Sequence, residues 1–286
     1  MNAMPVRTVG VVGAGVMGAE LAQVLAAAGY DVSLIDRTPE SLQRAKRAVV
    51  NAQRCSILLG GRGAASRTKS GEISYSTSVE TALANADFVI ENVTERWSVK
   101  SELYPVLDRV CPEHAVLAAN TSTIPVRRLA ECTRRPSQVL GLHFMNPASL
   151  TRAVELVVTP DTSTACIATA TDVLSALQKK WVVVHDSPGF VSNRVLMLTI
   201  NEAVAVLADG VASAESIDEL FRSCFGHKMG PLETADLIGL DTVLLSLESL
   251  EEAYGAKFAP CALLRSFVAA GKYGQKSGAG FYAYEV

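Results

Sequence analysis

The chain has 286 residues, 49% hydrophobic and 19% charged, a composition typical of a globular protein with one large or two ordinary domains. Lysine and arginine total 26 against 29 acidic residues, which excludes an overall basic surface and predicts no nucleic-acid partner. No apolar run approaches the roughly 18 residues that span a bilayer, and the N-terminus lacks a signal-peptide pattern. We therefore expect a cytoplasmic protein without a membrane partner.

The cysteines and histidines are too scattered along the sequence to suggest a metal site. The six cysteines contain no Cys-x-x-Cys spacing, and the four histidines contain no His-x-x-x-His pair. We therefore expect reduced, packed thiols and no bound metal.

The first predicted strand runs directly into a glycine-rich turn and a helix. Residues 6–12 have the pattern of a buried strand, and residues 19–28 have a helical pattern. In the G-x-G-x-x-G turn between them, Gly13 makes the tight turn, Gly15 lets the backbone approach a pyrophosphate, and Gly18 permits close helix packing. Free N–H groups at the start of the helix bind the phosphates. The dinucleotide-binding residues predicted here are Gly13, Gly15, Val16, Met17 and Gly18.

An acidic residue ends the second predicted strand, residues 31–36. Asp36 follows the glycine turn at about the 20-residue distance at which a carboxylate accepts hydrogen bonds from the ribose hydroxyls of the adenosine. Its negative charge would repel a 2′-phosphate, so the sequence favours NAD over NADP. Arg37, the next residue, leaves some room for NADP.

A glycine-rich, basic stretch interrupts the pattern after a predicted helix over residues 40–59. Residues 60–71 combine glycine and serine with Arg62, Arg67 and Lys69, and this composition predicts a loop. Two interpretations remain open for it. The stretch is either a solvated loop or a mobile basic arm for a phosphate-bearing substrate.

Strand and helix patterns then alternate as far as residue 187. The predicted strands cover residues 73–76, 88–92, 115–119, 139–142, 153–158 and 181–184. The predicted helices between them cover residues 79–84, 95–110, 127–132 and 164–178. Such alternation predicts an α/β fold with a Rossmann-type, doubly wound sheet.

Strand patterns stop after residue 187, and the rest of the chain is predicted to be all-α. The predicted helices cover residues 190–208, 216–224, 232–254 and 261–270, the second of them with a capping box at Ser216 and Glu219. We predict a dinucleotide-binding domain over residues 1–187 and a helical substrate and dimerisation domain over 188–286. An apolar stripe suggests a homodimer, although each of its residues is also explained as ordinary core: Val191, Val195, Leu198, Val206 and Leu207.

His143 follows the buried strand pattern of residues 139–142. Asn146 and Pro147, just beyond His143, end the strand pattern. Ligands of open α/β sheets bind at the carboxyl ends of the strands, so His143 is a candidate for chemistry. The polar cluster 120–123 also follows a predicted strand. A strand-end histidine can equally be structural, and the rest of the sequence must decide.

With these residues identified, the chain resembles the 3-hydroxyacyl-CoA dehydrogenase family over nearly its whole length. The resemblance rests on short motifs whose order and spacing also match. They are GAGVMG at 13–18, DFVIE at 87–91, NTS at 120–122, HFMNP at 143–147 with Glu155, PGFVSNR at 188–194, MGPLE at 229–233, DLIGLD at 236–241 and GAGFY at 278–282.

The resemblance implies a role for each matching residue. His143 matches the catalytic base and Glu155 its partner, and Ser122 and Asn193 match residues that hold the substrate oxygen. The remaining matches belong to the cofactor end of the site: Asp36, the glycines, Asn120, Glu95 and Lys100. Glu95 and Lys100 match positions close to the nicotinamide or the substrate.

The residue types suit the implied chemistry. Oxidation of a secondary alcohol removes the hydroxyl proton as hydride leaves the carbon, and histidine is a base of suitable strength near neutral pH. A carboxylate on the far ring nitrogen, the role of Glu155, fixes the tautomer and stabilises the imidazolium. Ser122 and Asn193 can donate hydrogen bonds to the oxygen. Each well-placed donor of this kind contributes about 2 to 4 kcal/mol.

Three departures from the family pattern affect the expected substrate. The stretch 60–71 replaces a more helical arm that carries lysine, Lys228 replaces a proline, and 148–152 replaces a more apolar run. The predicted substrate is thus an acyl thioester of either coenzyme A or an acyl carrier protein. The carrier-protein alternative includes a glyceryl thioester of polyketide extender-unit synthesis, because Lys228 and Arg152 suit a more polar acyl chain.

Two other function classes are less favoured. A β-hydroxyacid dehydrogenase uses a lysine base on the first interdomain helix, and residues 190–207 contain no lysine. A non-catalytic dinucleotide sensor needs no proton acceptor, so it would not explain His143 together with Glu155, Ser122 and Asn193.

Overall fold

The computed structural model describes residues 5–58 and 70–285, with only the backbone described at 52–58. The predicted basic arm of Arg62, Arg67 and Lys69 lies outside the described residues. The chain divides into two compact units, Met1–Asp186 and Ser187–Val286.

The first unit is built on one eight-stranded sheet with the order β3-β2-β1-β4-β5-β6-β7-β8. Neighbouring strands are parallel except for β6 and β7, which are antiparallel. The strands are β1 Thr8–Val12, β2 Asp31–Ile35, β3 Ile73–Ser76, β4 Phe88–Glu91, β5 Val116–Ala119, β6 Val139–Phe144, β7 Ala153–Val158 and β8 Lys180–His185. The predicted Rossmann-type sheet is confirmed.

Helices connect the parallel strands, and one apolar core packs α1, α2 and α6 against the sheet. The helices are α1 Val16–Ala27, α2 Pro39–Leu58, α3 Val79–Ala82, α4 Trp97–Val110, α5 Val126–Ala130 and α6 Thr164–Ala176. Every residue of β4, β5 and β6 is buried, which explains why these strands appear in the sequence as unbroken apolar runs. Helix α1 begins at Val16 rather than the predicted residue 19, because Gly15 is its N-cap.

The strand that carries His143 is longer than predicted. It extends through Phe144, so His143 lies inside β6 and not beyond its end. In the antiparallel pairing with β7, His143 is directly opposite Glu155, and Phe144 is opposite Val154. Directly opposed residues in such a ladder place their side chains on the same face of the sheet. The register therefore brings the imidazole and the carboxylate together.

The second unit is helical, as predicted. Its helices are α7 Ser192–Ala208, α8 Ala214–Phe225, α9 Pro231–Ile238, α10 Leu240–Tyr254 and α11 Ala262–Ala269. The predicted capping box is wrong, because Ser213 is the N-cap of α8 and accepts a hydrogen bond from the Ser216 backbone N–H at 3.3 Å. The single helix predicted over residues 232–254 is also wrong. Gly239, with φ of 100°, separates α9 from α10.

Two buried aspartates hold the C-terminal segment of this unit. Asp236 accepts hydrogen bonds from the backbone N–H groups of Phe281 and Tyr282 at 3.0 and 2.9 Å, and from the Tyr284 hydroxyl at 3.0 Å. Asp218 accepts one from the Tyr282 hydroxyl at 2.8 Å. Both aspartates are fully buried. The segment is therefore anchored by charge-assisted hydrogen bonds to α8 and α9.

The predicted apolar stripe is divided between core and surface. Leu198, Val206 and Leu207 pack against the helical core, whereas Val191 and Val195 are exposed by 55% and 60%. No helix among the described residues is long and apolar enough to cross a membrane. In the described part of the chain, no group of His, Cys, Asp and Glu side chains could hold a metal ion.

Candidate functional site

The glycine turn after β1 has space for a ligand at one position and none at the two others. Gly13 has φ of 103°, and a Cβ added there would lie 2.5 Å from the Asn92 carbonyl oxygen. A Cβ on Gly18 would overlap the Gly13 carbonyl. At Gly15, nothing lies within 4 Å of an added Cβ. The turn is thus tightly packed on its inner side and open at Gly15, where a pyrophosphate approaches the backbone in such motifs.

The start of α1 and the end of β2 complete the expected dinucleotide site. No side chain caps the N-terminus of α1, so its first N–H groups remain available to phosphate. Val16, in this first turn, is exposed by 69%. The Asp36 carboxylate lies beside the turn, where it accepts a hydrogen bond from the Ala14 N–H at 2.8 Å. These residues fit NAD: donors for the phosphates and a carboxylate for the ribose.

Asn120 joins the carboxyl ends of three strands. Its side-chain amide donates to Asn92 Oδ1 at 2.6 Å, and its oxygen accepts from the Phe144 N–H at 3.1 Å. The loop that carries Ser122 is therefore connected at its start to β4 and to the strand of His143. These two contacts of Asn120 are structural. Its predicted contact with the cofactor stays a prediction.

Glu95 binds the next residues of that loop through a single oxygen. Its Oε1 accepts from the Thr121 hydroxyl at 2.5 Å and from the N–H groups of Ser122 and Thr123, each at 2.9 Å. Its Oε2 pairs with the Lys100 amine at 3.0 Å. Burial alone would raise the pKa of Glu95, but Lys100 and these donors outweigh it and lower the pKa to about 2. The carboxylate is therefore charged at neutral pH.

Lys100 lies beneath this loop and not on its surface. Its side chain is fully buried, and its amine pairs with Glu91 at 2.9 Å as well as with Glu95. Burial would lower its pKa, but the two carboxylates prevail and raise it, so the lysine stays charged. Burial raises the pKa of Glu91 despite the pairing. Among the described contacts, Lys100 supports Glu95, and its predicted place at the cofactor end of the site stays a prediction.

His143 lies between Glu155 and Ser122. Its Nδ1 is 2.7 Å from Glu155 Oε2, and its Nε2 is 3.0 Å from the Ser122 hydroxyl oxygen. The imidazole and the carboxylate are both nearly fully buried. If Glu155 is ionised, Nδ1 must carry the proton that it donates, so the lone pair on Nε2 faces Ser122. The arrangement can accept a proton at Nε2.

Asn193, the remaining predicted catalytic residue, belongs to the second unit. It lies half-buried in the first turn of α7. Its contact with substrate stays a prediction.

Several polar and charged residues that shape the site were not predicted from the sequence. Thr121 binds Glu95, while Glu20 and Lys179 hold the loop after β6. A lysine or glutamate within an apolar stretch gives no sign of its partner, because these partners are far apart along the chain.

Comparison with known protein families agrees with this geometry. Residues 8–187 match the family model described as 3-hydroxyacyl-CoA dehydrogenase, NAD binding domain. Residues 189–284 match the model for the C-terminal domain of the same enzyme. The chain belongs to the 3-hydroxyacyl-CoA dehydrogenase family. The family consists of NAD-dependent oxidoreductases, so the predicted family, enzyme class and cofactor are confirmed.

Three similar proteins match this chain over nearly their full length. A probable 3-hydroxybutyryl-CoA dehydrogenase of Bacillus subtilis is 43% identical over 293 residues, covering 99% of each chain. The 3-hydroxybutyryl-CoA dehydrogenase of Clostridioides difficile is 37% identical, covering 96% of this chain and 98% of its own. Among solved structures, (S)-3-hydroxybutyryl-CoA dehydrogenase from Ralstonia eutropha has a TM-score of 0.89 at 37% identity, covering 99% of this chain and 100% of its own.

Proposed function

We propose that this member of the 3-hydroxyacyl-CoA dehydrogenase family interconverts a 3-hydroxyacyl-CoA and the corresponding 3-oxoacyl-CoA, with His143 as the base. The observation that carries the proposal is the position of the imidazole. It lies between a buried carboxylate at 2.7 Å and a hydroxyl at 3.0 Å, so one ring nitrogen is oriented and the other can take a proton. The names of the relatives support the CoA ester as substrate.

The proton transfer follows from the two ring nitrogens. In the oxidative direction the substrate hydroxyl replaces the Ser122 hydroxyl as the partner of His143 Nε2, and its proton passes to that nitrogen. NAD, when bound, supplies the acceptor for the hydride that leaves the carbon bearing this hydroxyl. The resulting imidazolium donates from Nδ1 to Glu155, which stabilises the new positive charge. In the reductive direction, the same nitrogen returns the proton.

Ser122 has two roles in this proposal. Its hydroxyl, next to Nε2, is close to where the substrate oxygen must lie, and it can donate a hydrogen bond to that oxygen. Its backbone N–H is held by Glu95, which keeps the hydroxyl in place before substrate arrives. We infer a substrate-binding role for Asn193 as well, because it matches a family residue that holds the substrate oxygen.

We further infer that the protein is a homodimer that uses the exposed part of the apolar stripe on α7. Val191 and Val195 are both more than half exposed in the single chain. Val191 is the N-cap of α7 and Val195 lies in its first turn, and neighbouring exposed apolar side chains of this kind are typical of an interface. Sedimentation equilibrium would show a mass twice that of the chain. A monomer at micromolar concentration would contradict this inference.

The base is tested by replacing His143. We expect His143→Ala to bind NAD with unchanged affinity and to lose at least about a hundredfold in kcat, since general-base catalysis commonly contributes a factor of about 10² to 10⁴. The matched control is His185→Ala, which removes an exposed histidine at the end of β8 and should keep full activity. Turnover by His143→Ala close to that of the control would exclude His143 as the base.

The substrate is tested by comparing two thioesters. NADH absorbance would be followed with 3-hydroxybutyryl-CoA and with the same acyl group on an acyl carrier protein. We expect the CoA ester to be oxidised with the higher kcat/KM. The carrier-protein alternative is based on Lys228 and Arg152, and both residues are exposed. Turnover confined to the carrier-bound substrate would establish it instead.

A further inference from the structure

The loop between the His143 strand and the Glu155 strand is held by side chains from outside it. This loop, residues 145–152, joins β6 to β7. The pair His143 and Glu155 is separated from it by a single further pair, Phe144 and Val154. A displacement of the loop would therefore be transmitted to His143 and Glu155 through only one intervening residue pair.

Lys179 binds both ends of the turn within this loop. Lys179 immediately precedes β8, and its side chain is 9% exposed. Its amine donates hydrogen bonds to the backbone carbonyls of Ala148 at 2.6 Å and Thr151 at 2.5 Å. Burial lowers the pKa of Lys179, and nearby Glu20 opposes that shift.

Glu20 binds the same loop from the helix of the dinucleotide turn. Its carboxylate accepts a hydrogen bond from the Ala148 N–H at 2.6 Å. Glu20 lies in α1, one helical turn after Val16, the first residue of that helix. Ala148 is fully buried, and both of its backbone polar groups are thus satisfied by charged side chains. The loop is therefore connected to the element that begins at the cofactor site.

The internal hydrogen bonds of the loop do not substitute for these contacts. The Thr151 hydroxyl donates to the carbonyls of Met145 and Pro147, each at 3.1 Å, and the Thr151 N–H donates to Pro147. These bonds close a turn, but they leave the carbonyls of Ala148 and Thr151 to Lys179. Without the amine, the Ala148 carbonyl would be buried without this partner, and the backbone would have to move to regain one.

We propose that Lys179, assisted by Glu20, is a positioning residue for the reaction. It holds the loop so that His143 stays aligned with Glu155 and with a substrate oxygen. This inference rests on the proposed function of His143. It does not require Lys179 to touch substrate or cofactor, because its effect is transmitted through the loop and the last pair of the β6 and β7 ladder.

Lys179→Met tests the proposal, with Lys180→Met as the matched control. Methionine keeps the length and apolar stem and removes the amine, while Lys180 is the adjacent exposed lysine. We expect kcat for 3-hydroxybutyryl-CoA oxidation to fall about tenfold or more in Lys179→Met, because misplacement by about 1 Å costs up to about a hundredfold. KM for NAD should stay within about twofold. Lys180→Met should resemble the parent, and Lys179→Arg should recover most of kcat.

An isotope effect separates positioning from a loss of stability. With substrate deuterated at the carbinol carbon, we expect a larger kinetic isotope effect on kcat in Lys179→Met, because hydride transfer becomes more rate-limiting. A variant that is only less stable would keep the parental kcat per folded molecule and the parental isotope effect. That result, measured well below the melting temperature, would overturn the proposal.

Glu20→Ala provides a second test if Lys179→Met fails to fold. It removes the acceptor of the Ala148 N–H and should lower kcat with the same rise in isotope effect, whereas unchanged values would overturn the proposal. His143→Ala and the parent protein are measured alongside. An active parent and an inactive His143→Ala uphold the proposed function whatever Lys179 does, so the two inferences fail separately.

Discussion

Glu95→Gln tests how strongly one carboxylate organises the Ser122 loop. The substitution keeps the shape of the side chain and removes its charge. The amide can still accept one of the loop hydrogen bonds, but its NH2 group would face the amine of Lys100, now 3.0 Å from Oε2. The backbone donors of Ser122 and Thr123 would lose a charged acceptor. We expect both a less stable protein and a displaced Ser122.

The expected loss of stability follows from the pKa of Glu95, which is lowered from 4.5 to about 2. A carboxylate whose pKa is lowered on folding stabilises the protein at pH values above its pKa in the unfolded state. This stabilisation is lost as the pH falls toward its pKa in the folded state. For this shift the contribution is about 3 kcal/mol at pH 7 and about half of that near pH 3. Glu95→Gln should therefore cost about 3 kcal/mol at neutral pH, and the difference from the parent should shrink on acidification.

Urea denaturation of parent and variant at a series of pH values measures this difference. Glu102→Gln, an exposed position on the same helix α4, is the control and should change the free energy of unfolding by less than about 0.5 kcal/mol. NADH formation at pH 7 gives kcat for the folded variants, and we expect a decrease only in Glu95→Gln. Equal stability of Glu95→Gln and the control at pH 7, with the same pH dependence, would refute the reasoning.

Two further predictions concern the glycine turn and the C-terminal segment. Gly15→Leu should leave the melting temperature nearly unchanged and weaken NAD binding at least tenfold by calorimetry, because the added side chain occupies the open space. Gly18→Ala should lower the melting temperature instead, since its Cβ overlaps Gly13. Asp236→Ala should cost about 3 kcal/mol in urea denaturation, because it leaves the N–H groups of Phe281 and Tyr282 without their acceptor. Retained stability would show that another group replaces the carboxylate.

Much of the fold could be predicted because it depends on local patterns. The apolar runs of the central strands and the glycine turn before α1 can be recognised without tertiary information. The alternation of strand and helix patterns indicates a doubly wound sheet. The errors occurred where a local signal was ambiguous. Ser216 with Glu219 matches a capping box, but Ser213, three residues earlier, is the cap. The apolar pattern continues on both sides of Gly239, so it predicts one helix where the structure has two.

The sequence pattern predicts too short a strand before His143 for a similar reason. A histidine interrupts an apolar run, so the pattern appears to end before it. In the structure β6 continues through Phe144, and His143 is accommodated in the buried strand because Glu155 lies opposite. A buried imidazole is tolerated when both nitrogens have partners.

The amino-acid sequence by itself determined the fold class, the dinucleotide turn with Asp36, and the candidate base His143, because these are carried by residues close together in the chain or by motifs in a recognisable order. Only the tertiary structure decided how the site is supported. Lys100 is buried beneath Glu95, and Lys179 holds the loop next to the His143 strand. Such roles depend on contacts between distant segments. No periodicity or spacing in the sequence indicates these roles, since the role of a buried charge depends on the partner that compensates it.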